Sequence, residues 1–391
     1  MKYYLIAGEA SGDLHASNLM REIARQDPDA RFRCIGGDLM VQAGGQLLRH
    51  YRTLAYMGVI SVVKHLPAIL AGMRQCRRDI LTYAPDAVIL VDYPGFNLRM
   101  ASYLHRHSDA NICYYIAPKI WAWKEWRIKS IRRDVHHLLS ILPFEVPYFR
   151  DRHHYAVHYV GNPSVDAVEQ WRSQTPTDAD ATDAPTIAIL PGSRRQEIRD
   201  NLPRMLDAAG AYPQYRCVVA GAPAVDPAFY RPFLHGHNAE VRFGCTYAIL
   251  RQASAALVTS GTATLEAALI GTPQVVCYYL PCGRIYSWLR SILLKVPYIS
   301  LVNLILGETC VKELVAHQMT VPSVQTELGR LLHDIPYRQR MLDAYARMRT
   351  ILGEHGASRR AAEIITRTTK QHHGIQSALH PRGPTAADRL D

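Results

Sequence analysis

The chain has 391 residues, a mass of 44.0 kDa and a formal net charge of +11, with 48% apolar and 20% charged residues. That length points to two domains with sizeable cores and excludes a mini-protein or a generally disordered chain. The basic excess favours an anionic partner, whether nucleic acid, a phosphorylated substrate or an acidic membrane surface. Eight cysteines, none in C-x-x-C spacing, read as buried thiols of a reducing compartment. Neither a disulfide framework nor a zinc site is expected, and H-E-x-x-H is absent among the 18 histidines.

Residues 3–7 (YYLIA) are too short for the apolar core of a signal peptide and read as a first strand. A helical pattern follows over 14–25, then a short strand at 32–35 ended by Gly36-Gly37. Residues 87–91 are continuously apolar, as in a parallel strand buried on both faces. Residues 112–117 repeat that pattern, and 137–142 and 157–160 are weaker examples. Polar residues 175–185 read as a linker. A second series of strands is expected at 186–190, 217–220, 241–243, 255–259 and 274–279. Residues 341–369 are helical in pattern, and the last 20 or so are polar with Gly and Pro.

The fold class is therefore α/β, with two Rossmann-like doubly wound domains whose strand ends would face a cleft. The domains are read as 1–167 and 168–345, followed by a helical segment 346–369 and a loose tail 370–391. No run of roughly 18 apolar residues exists, so no membrane-spanning helix is expected. The expected location is the cytoplasm.

Five loops following strands have chemistry-bearing composition. Gly8-Glu9-Ala10-Ser11-Gly12-Asp13 either meets an anion or sugar hydroxyl or forms a tight turn capped by Ser11 or Asp13. Asp92, in Asp92-Tyr93-Pro94-Gly95-Phe96-Asn97, is placed for a general base or a turn cap. Trp121, Trp123 and Lys124, with the cations after them, suit a pocket, a lipid interface or single-stranded nucleic acid; a packed Trp on a solvated helix suits them equally. Gly192-Ser193-Arg194 before a helix is either a phosphate grip or a helix cap. Ser260-Gly261-Thr262 opens a helix whose positive end can hold a diphosphate, with Glu266 one turn in for ribose hydroxyls. G-x-S-x-G and Walker-type loops are absent. Two apolar stretches flanked by cations, 56–70 and 286–296, suit either a membrane interface or core helices.

Taken together, AGEASGD (7–13), MGV (57–59), DYPGFN (92–97), AP-x-x-WAW (117–123), LPGSR (190–194), SGTATLEA (260–267) and SLVN (300–303) resemble the lipid-A-disaccharide synthase family of Gram-negative bacteria. The resemblance runs in order over about residues 1–365. It implies a GT-B fold and an inverting glycosyl transfer. UDP-2,3-diacylglucosamine and 2,3-diacylglucosamine 1-phosphate (lipid X) would give the β-1′,6-linked disaccharide and UDP. Asp92 matches the family's base motif, and Ser11, with Glu9, Gly12, Asn97 and Trp121, would line the same region. Ser193, Arg194, Ser260, Gly261, Thr262, Glu266 and Asn303 match the nucleotide-binding part. No metal or cofactor beyond the UDP-sugar donor is implied. The C-terminal helices would return to the first domain and be exchangeable between the subunits of a homodimer. Cationic and apolar patches would dock on the anionic inner membrane face, and no nucleic-acid partner is implied.

Asn162 stands in place of the family's His in Gly-His-Pro, Val302 in place of the Pro in S-L-P-N, and Lys312 in place of a Pro before Glu313-Leu314. Two rivals remain. One is another GT-B enzyme of UDP-sugars, such as an N-acetylglucosaminyltransferase or a UDP-sugar 2-epimerase. The other is a non-catalytic membrane- or nucleic-acid-binding protein on the same scaffold.

Overall fold

The structure is a computed structural model and describes residues 1–53, 66–175, 185–259, 261–279 and 297–379. It divides into two compact units, Met1–Pro163 with Gly356–Asp391, and Ser164–His355.

The first unit is built on seven parallel strands: β1 (Lys2–Ala7), β2 (Arg31–Gly36), β3 (Gly45–His50), β4 (Ala87–Val91), β5 (Asn111–Tyr115), β6 (His137–Ser140) and β7 (His158–Tyr159). Their order is β3-β2-β1-β4-β5-β6-β7. Every strand pair is parallel, so helices must cross over both faces and bury them. The apolar runs split accordingly. Tyr4, Ile6, Val88, Leu90, Ile112 and Tyr114 pack with Met73, Cys76, Ile80, Met100 and Leu104 on one face. Tyr3, Leu5, Ala87, Ile89, Cys113 and Tyr115 pack with Leu19, Met20, Ile23, Ala361 and Ile365 on the other.

Ala361 and Ile365 belong to the Ala357–Leu379 helix, which lies against the Ala10–Gln26 helix within this unit. Asn111 Nδ2 donates to the hydroxyls of Thr368 and Thr369, each at 3.2 Å, and Arg360 Nε donates to the Val160 carbonyl at 2.8 Å. Residues 370–379, read from composition as loose tail, continue this helix. His372 Nε2 donates to the Asp109 carbonyl at 2.7 Å, and His373 pairs with Asp86 at 2.7 Å. Composition misled there because a polar, His-rich stretch resembles a tail unless its anchoring partners are known. The helical pattern of 341–369 is two helices, Ile335–Leu352 and Ala357–Leu379. They are separated at Gly353 and Gly356, and the first remains with the second unit.

The second unit holds six parallel strands: β8 (Thr186–Leu190), β9 (Arg216–Gly221), β10 (Ala239–Phe243), β11 (Ala253–Val258), β12 (Gln274–Tyr278) and β13 (Lys312–Val315). Their order is β10-β9-β8-β11-β12-β13. Strand direction of progress reverses between β1 and β4 in the first sheet and between β8 and β11 in the second. Ligands of open α/β sheets bind beyond the carboxyl ends at such switch points. Four of the five candidate loops follow those four strands.

Among the described residues no helix is long and apolar enough to cross a membrane. The stretch 286–296 lies outside the described residues, as do residues 56–65 of the first apolar stretch and most of the linker. Residues 66–70 begin the Leu66–Tyr83 helix.

Candidate active site

At the first switch point, β1 and β4 run side by side in register, Ala7 opposite Val91. The chain leaves β4 through Asp92 and Tyr93, both left-handed at φ 45° and 48°. Such a conformation costs non-glycine residues about 1–3 kcal/mol each, so the surroundings must enforce it. They do so through the backbone. Asp92 N–H donates to the Tyr115 carbonyl at 3.0 Å. The Asp92 carbonyl accepts from Tyr114 Oη at 2.6 Å and from Asn97 Nδ2 at 2.7 Å. Asn97 is buried and also reaches the carbonyls of Val91 (3.2 Å) and Ile6 (3.4 Å), so it pins the turn to both strands. Its role here is therefore to shape the Asp92 turn.

The Tyr93 ring presses on Gly8, where any side chain would collide with it. This ties the loop after β1 to the loop after β4. Burial pushes the Asp92 carboxyl above the usual carboxylate range, and the Lys119 ammonium partly offsets that rise. A carboxylate with raised proton affinity at a strand's carboxyl end is suited to accept a hydroxyl proton.

Ser11 is exposed in the first turn of the Ala10–Gln26 helix, and Glu9 is its N-cap residue. The helix N-terminus is not capped by a Ser11 or Asp13 side chain. Asp13 is buried inside that helix and serves a different one. Its carboxylate accepts from the N–H groups of Gly37 (2.8 Å), Met40 (3.1 Å) and Leu39 (3.2 Å), at the start of the Asp38–Gln42 helix. Gly12 is buried in van der Waals reach of Ala7, which lets the helix approach β1 closely.

The loop after β5 separates its tryptophans. Trp121 Nε1 donates to Glu145 Oε1 at 2.8 Å. Trp123 and Trp126 are 48% and 66% exposed, with Lys124 and Arg127 over the Trp123 ring at 4.1 and 5.7 Å. Asn162, in the His position of the resembled pattern, is buried and donates to the Ile141 carbonyl at 3.1 Å.

At the second switch point, Thr259 N–H donates to the Leu190 carbonyl at 2.9 Å, bringing the loops after β8 and β11 together. Gly192 has φ 119°, a conformation that suits glycine, and packs where a Cβ would strike Glu197. Glu197 Oε2 accepts from the N–H groups of Ser193 (2.9 Å) and Arg194 (3.3 Å), and Oε1 accepts from Arg194 Nη1 at 2.9 Å. The loop's amides, which composition assigns to a phosphate, are thus engaged by an internal carboxylate. The exposed Arg194 guanidinium is the group presented outward.

Gly261 is the N-cap residue of the Thr262–Ile270 helix, with Thr262 exposed at its first position. Ser260 lies outside the described residues. Glu266 is partly buried and accepts from Tyr247 Oη at 3.0 Å; burial raises its proton affinity. Asn303 lies in the Leu301–Leu306 helix, which packs against the Thr262–Ile270 helix. It is buried, and both ends of its amide are fully used. Nδ2 donates to the Val311 carbonyl and to Glu313 Oε1, both at 2.9 Å. Oδ1 accepts from Cys310 N–H (2.8 Å) and Val311 N–H (2.9 Å). The Leu301–Leu306 helix starts at the side-chain cap of Ser300, so Val302 serves at its second position without a proline.

Sequence reading missed Tyr114 and Glu145. The available signal for Glu145 was an acid within the apolar run Ile141-Leu142-Pro143-Phe144. Among the described residues no group of His, Cys, Asp and Glu forms a metal-binding cluster.

The family model for lipid-A-disaccharide synthetase matches residues 3–366. A lipid-A-disaccharide synthase of Chromohalobacter salexigens is 38% identical over 384 residues, covering 93% of this chain and 96% of its own length. One from Trichlorobacter lovleyi is 35% identical over 376 residues, covering 94% and 97%. Among solved structures, the UDP-GlcNAc 2-epimerase of Neisseria meningitidis superposes with a TM-score of 0.59 at 10% identity, covering 95% of this chain and 100% of its own. A calicheamicin glycosyltransferase gives 0.58 at 18% identity, covering 95% and 98%. These structural likenesses establish the GT-B type of α/β fold. The sequence relatives establish more, and on them the chain belongs to the lipid-A-disaccharide synthase family, as a glycosyltransferase of lipid A synthesis.

Proposed function

We propose that this glycosyltransferase is inverting and joins UDP-2,3-diacylglucosamine to 2,3-diacylglucosamine 1-phosphate. The acceptor 6-hydroxyl oxygen attacks C1 of the donor sugar. The C1–O bond to the diphosphate breaks, UDP leaves with that electron pair, and the hydroxyl proton passes to Asp92. The observation that carries this reading is the Asp92 turn. Its carboxyl sits at a switch point and is raised in proton affinity by burial, and the turn is held by hydrogen bonds from the Tyr114 and Asn97 side chains to the Asp92 backbone carbonyl.

Arg194, Ser193 and the N-terminus of the Thr262–Ile270 helix are assigned to the diphosphate, with Glu266 accepting from the ribose. Their charge and dipole stabilise the leaving group in place of a metal. The exposed Trp123 and Trp126, beside Lys124 and Arg127, support docking on the anionic inner face of the cytoplasmic membrane.

The test is turnover by purified protein in detergent with these two substrates and no added metal. Disaccharide and UDP in equal amounts are expected, and Asp92→Asn should lose turnover while keeping UDP binding. UDP binding without disaccharide would redirect the assignment to unacylated UDP-sugars. For docking, the protein should sediment with vesicles rich in anionic lipid and be released by salt. Equal sedimentation with neutral vesicles would refute the electrostatic part.

A further inference from the structure

Three loops leave adjacent strands at the carboxyl edge of the first sheet: 92–97 after β4, 116–124 after β5 and 141–147 after β6. The last carries a buried acid that the proposed transfer does not use. Glu145 is 1% exposed. Its Oε1 accepts from Trp121 Nε1 at 2.8 Å, and its Oε2 accepts from the Ser140 hydroxyl. The Trp121 ring also stands edge-on to Phe144, with centroids 5.0 Å apart and planes at 82°.

Burying a carboxylate is costly, and apolar packing alone would seat an indole more cheaply. The carboxylate meets two donors, the Trp121 indole N–H at one oxygen and the Ser140 hydroxyl at the other. The surrounding charges are specific too. Lys119, from the same loop as Trp121, favours the ionised form of both Glu145 and Asp92, while the Asp92 charge opposes ionisation of Glu145.

We propose that Glu145 is a positioning residue of the acceptor side: its two hydrogen bonds tie the loop after β5, at Trp121, to the end of β6, at Ser140, next to the loop that carries Asp92. This rests on the reading of Asp92 as the base. The groups facing Glu145 are Asp92 from the β4 loop, Lys119 and Trp121 from the β5 loop, and Ser140 from β6. Burial pushes the Glu145 carboxyl up to about 7, so it changes charge near neutral pH.

Two readouts test this. The first needs no reaction. Tryptophan emission of the full-length protein should show a step near pH 7, and both Trp121→Phe and Glu145→Gln should abolish it. Persistence of the step in either variant overturns the proposal. Ser140→Ala removes one donor to the carboxylate and should move the step to higher pH, which keeps the test decisive if Glu145→Gln does not fold. The second readout is kcat/KM for each of the two acylated glucosamine substrates. Glu145→Leu removes the acceptor of the Trp121 indole and should reduce kcat/KM for the acceptor about tenfold with the donor KM unchanged, whereas Glu145→Gln, which still accepts from Trp121, should restore most of it. Equal losses for donor and acceptor, or no rescue by Glu145→Gln, overturn it. Absence of wild-type turnover would sink the transferase reading instead, and the emission step would still decide the Glu145–Trp121 link.

Discussion

The hydroxyl of Tyr114 donates to the carbonyl oxygen of Asp92 at 2.6 Å, so β5 holds the turn that carries the candidate base. Tyr114 is fully buried, and burial keeps its phenol protonated, so the donor is permanent. Tyr114→Phe keeps the ring packing and removes only this bond. A stability loss of about 1 kcal/mol is expected in denaturant unfolding, since Asn97 still satisfies the carbonyl. Turnover should fall severalfold as the left-handed Asp92–Tyr93 turn relaxes. An unchanged kcat would show that the turn holds itself.

Asp92→Asn should separate activity from stability. The folded-state proton affinity of Asp92 lies above the unfolded one, so the folded chain binds the extra proton. Stability therefore falls as pH rises through that window, and the ionised group is a cost at neutral pH. The asparagine has no such cost. The variant should be more stable than wild type at pH 7–8, with the gain vanishing in acid, while turnover falls ~100-fold or more. Thermal unfolding across pH, beside turnover, measures both. A variant less stable than wild type at neutral pH would contradict the buried-charge account.

These two residues also show how far the sequence could be read. β4 and β8 are legible to the residue because both faces are covered, giving unbroken apolar runs. The edge strands β3 (GQLLRH) and β13 (KELV) are half solvated and carry no such run, so they go unread. Asp92 is visible because a carboxylate follows a buried strand directly. Tyr114 lies inside the next strand and looks like core. Asp13 looks like a cap for its own helix, yet it caps a neighbouring helix on the same face of the sheet. Asn303, Ser193 and Arg194 match site motifs, but the Asn303 amide and the N–H groups of Ser193 and Arg194 are engaged internally, which only the fold reveals.

Arg194 and Asn303 should therefore behave differently although both match the nucleotide-binding motifs. Arg194 is exposed and makes a solvent-screened pair with Glu197, so its loss should barely affect folding. Arg194→Ala should raise the donor KM about 10–100-fold, the worth of a charge-assisted contact to phosphate. Asn303→Ala leaves the N–H groups of Cys310 and Val311 without their acceptor and should cost about 2–4 kcal/mol of stability. UDP binding by calorimetry and urea unfolding on both variants give the comparison. Weakened UDP binding by Asn303→Ala at full stability would place its amide in the donor site after all.

Acid should weaken the first unit through the histidines at the amino edge of its sheet. His136 accepts from the Ile112 N–H at 3.0 Å, and its ring lies 5.3 Å from His372 and 6.3 Å from His105. Burial, with His372, His137 and His105 nearby, lowers its proton affinity to a pKa of about 4. His137 is lowered by burial first, then by His158, His372 and Arg367 of the Ala357–Leu379 helix, and His158 by burial first and then by Arg367. The unfolded chain binds these protons more readily than the folded one. Their contribution is thus fully present above the unfolded value near 6.5 and is lost as pH falls toward about 4. His372 sits on the C-terminal helix, so that helix should loosen first. Hydrogen-exchange protection factors of residues 357–379, corrected for the intrinsic pH dependence of exchange, should fall between pH 6.5 and 4.5. His136→Gln keeps an acceptor for Ile112 and takes no proton, and it should flatten that dependence. Equal acid sensitivity in wild type and variant would remove His136 from the account.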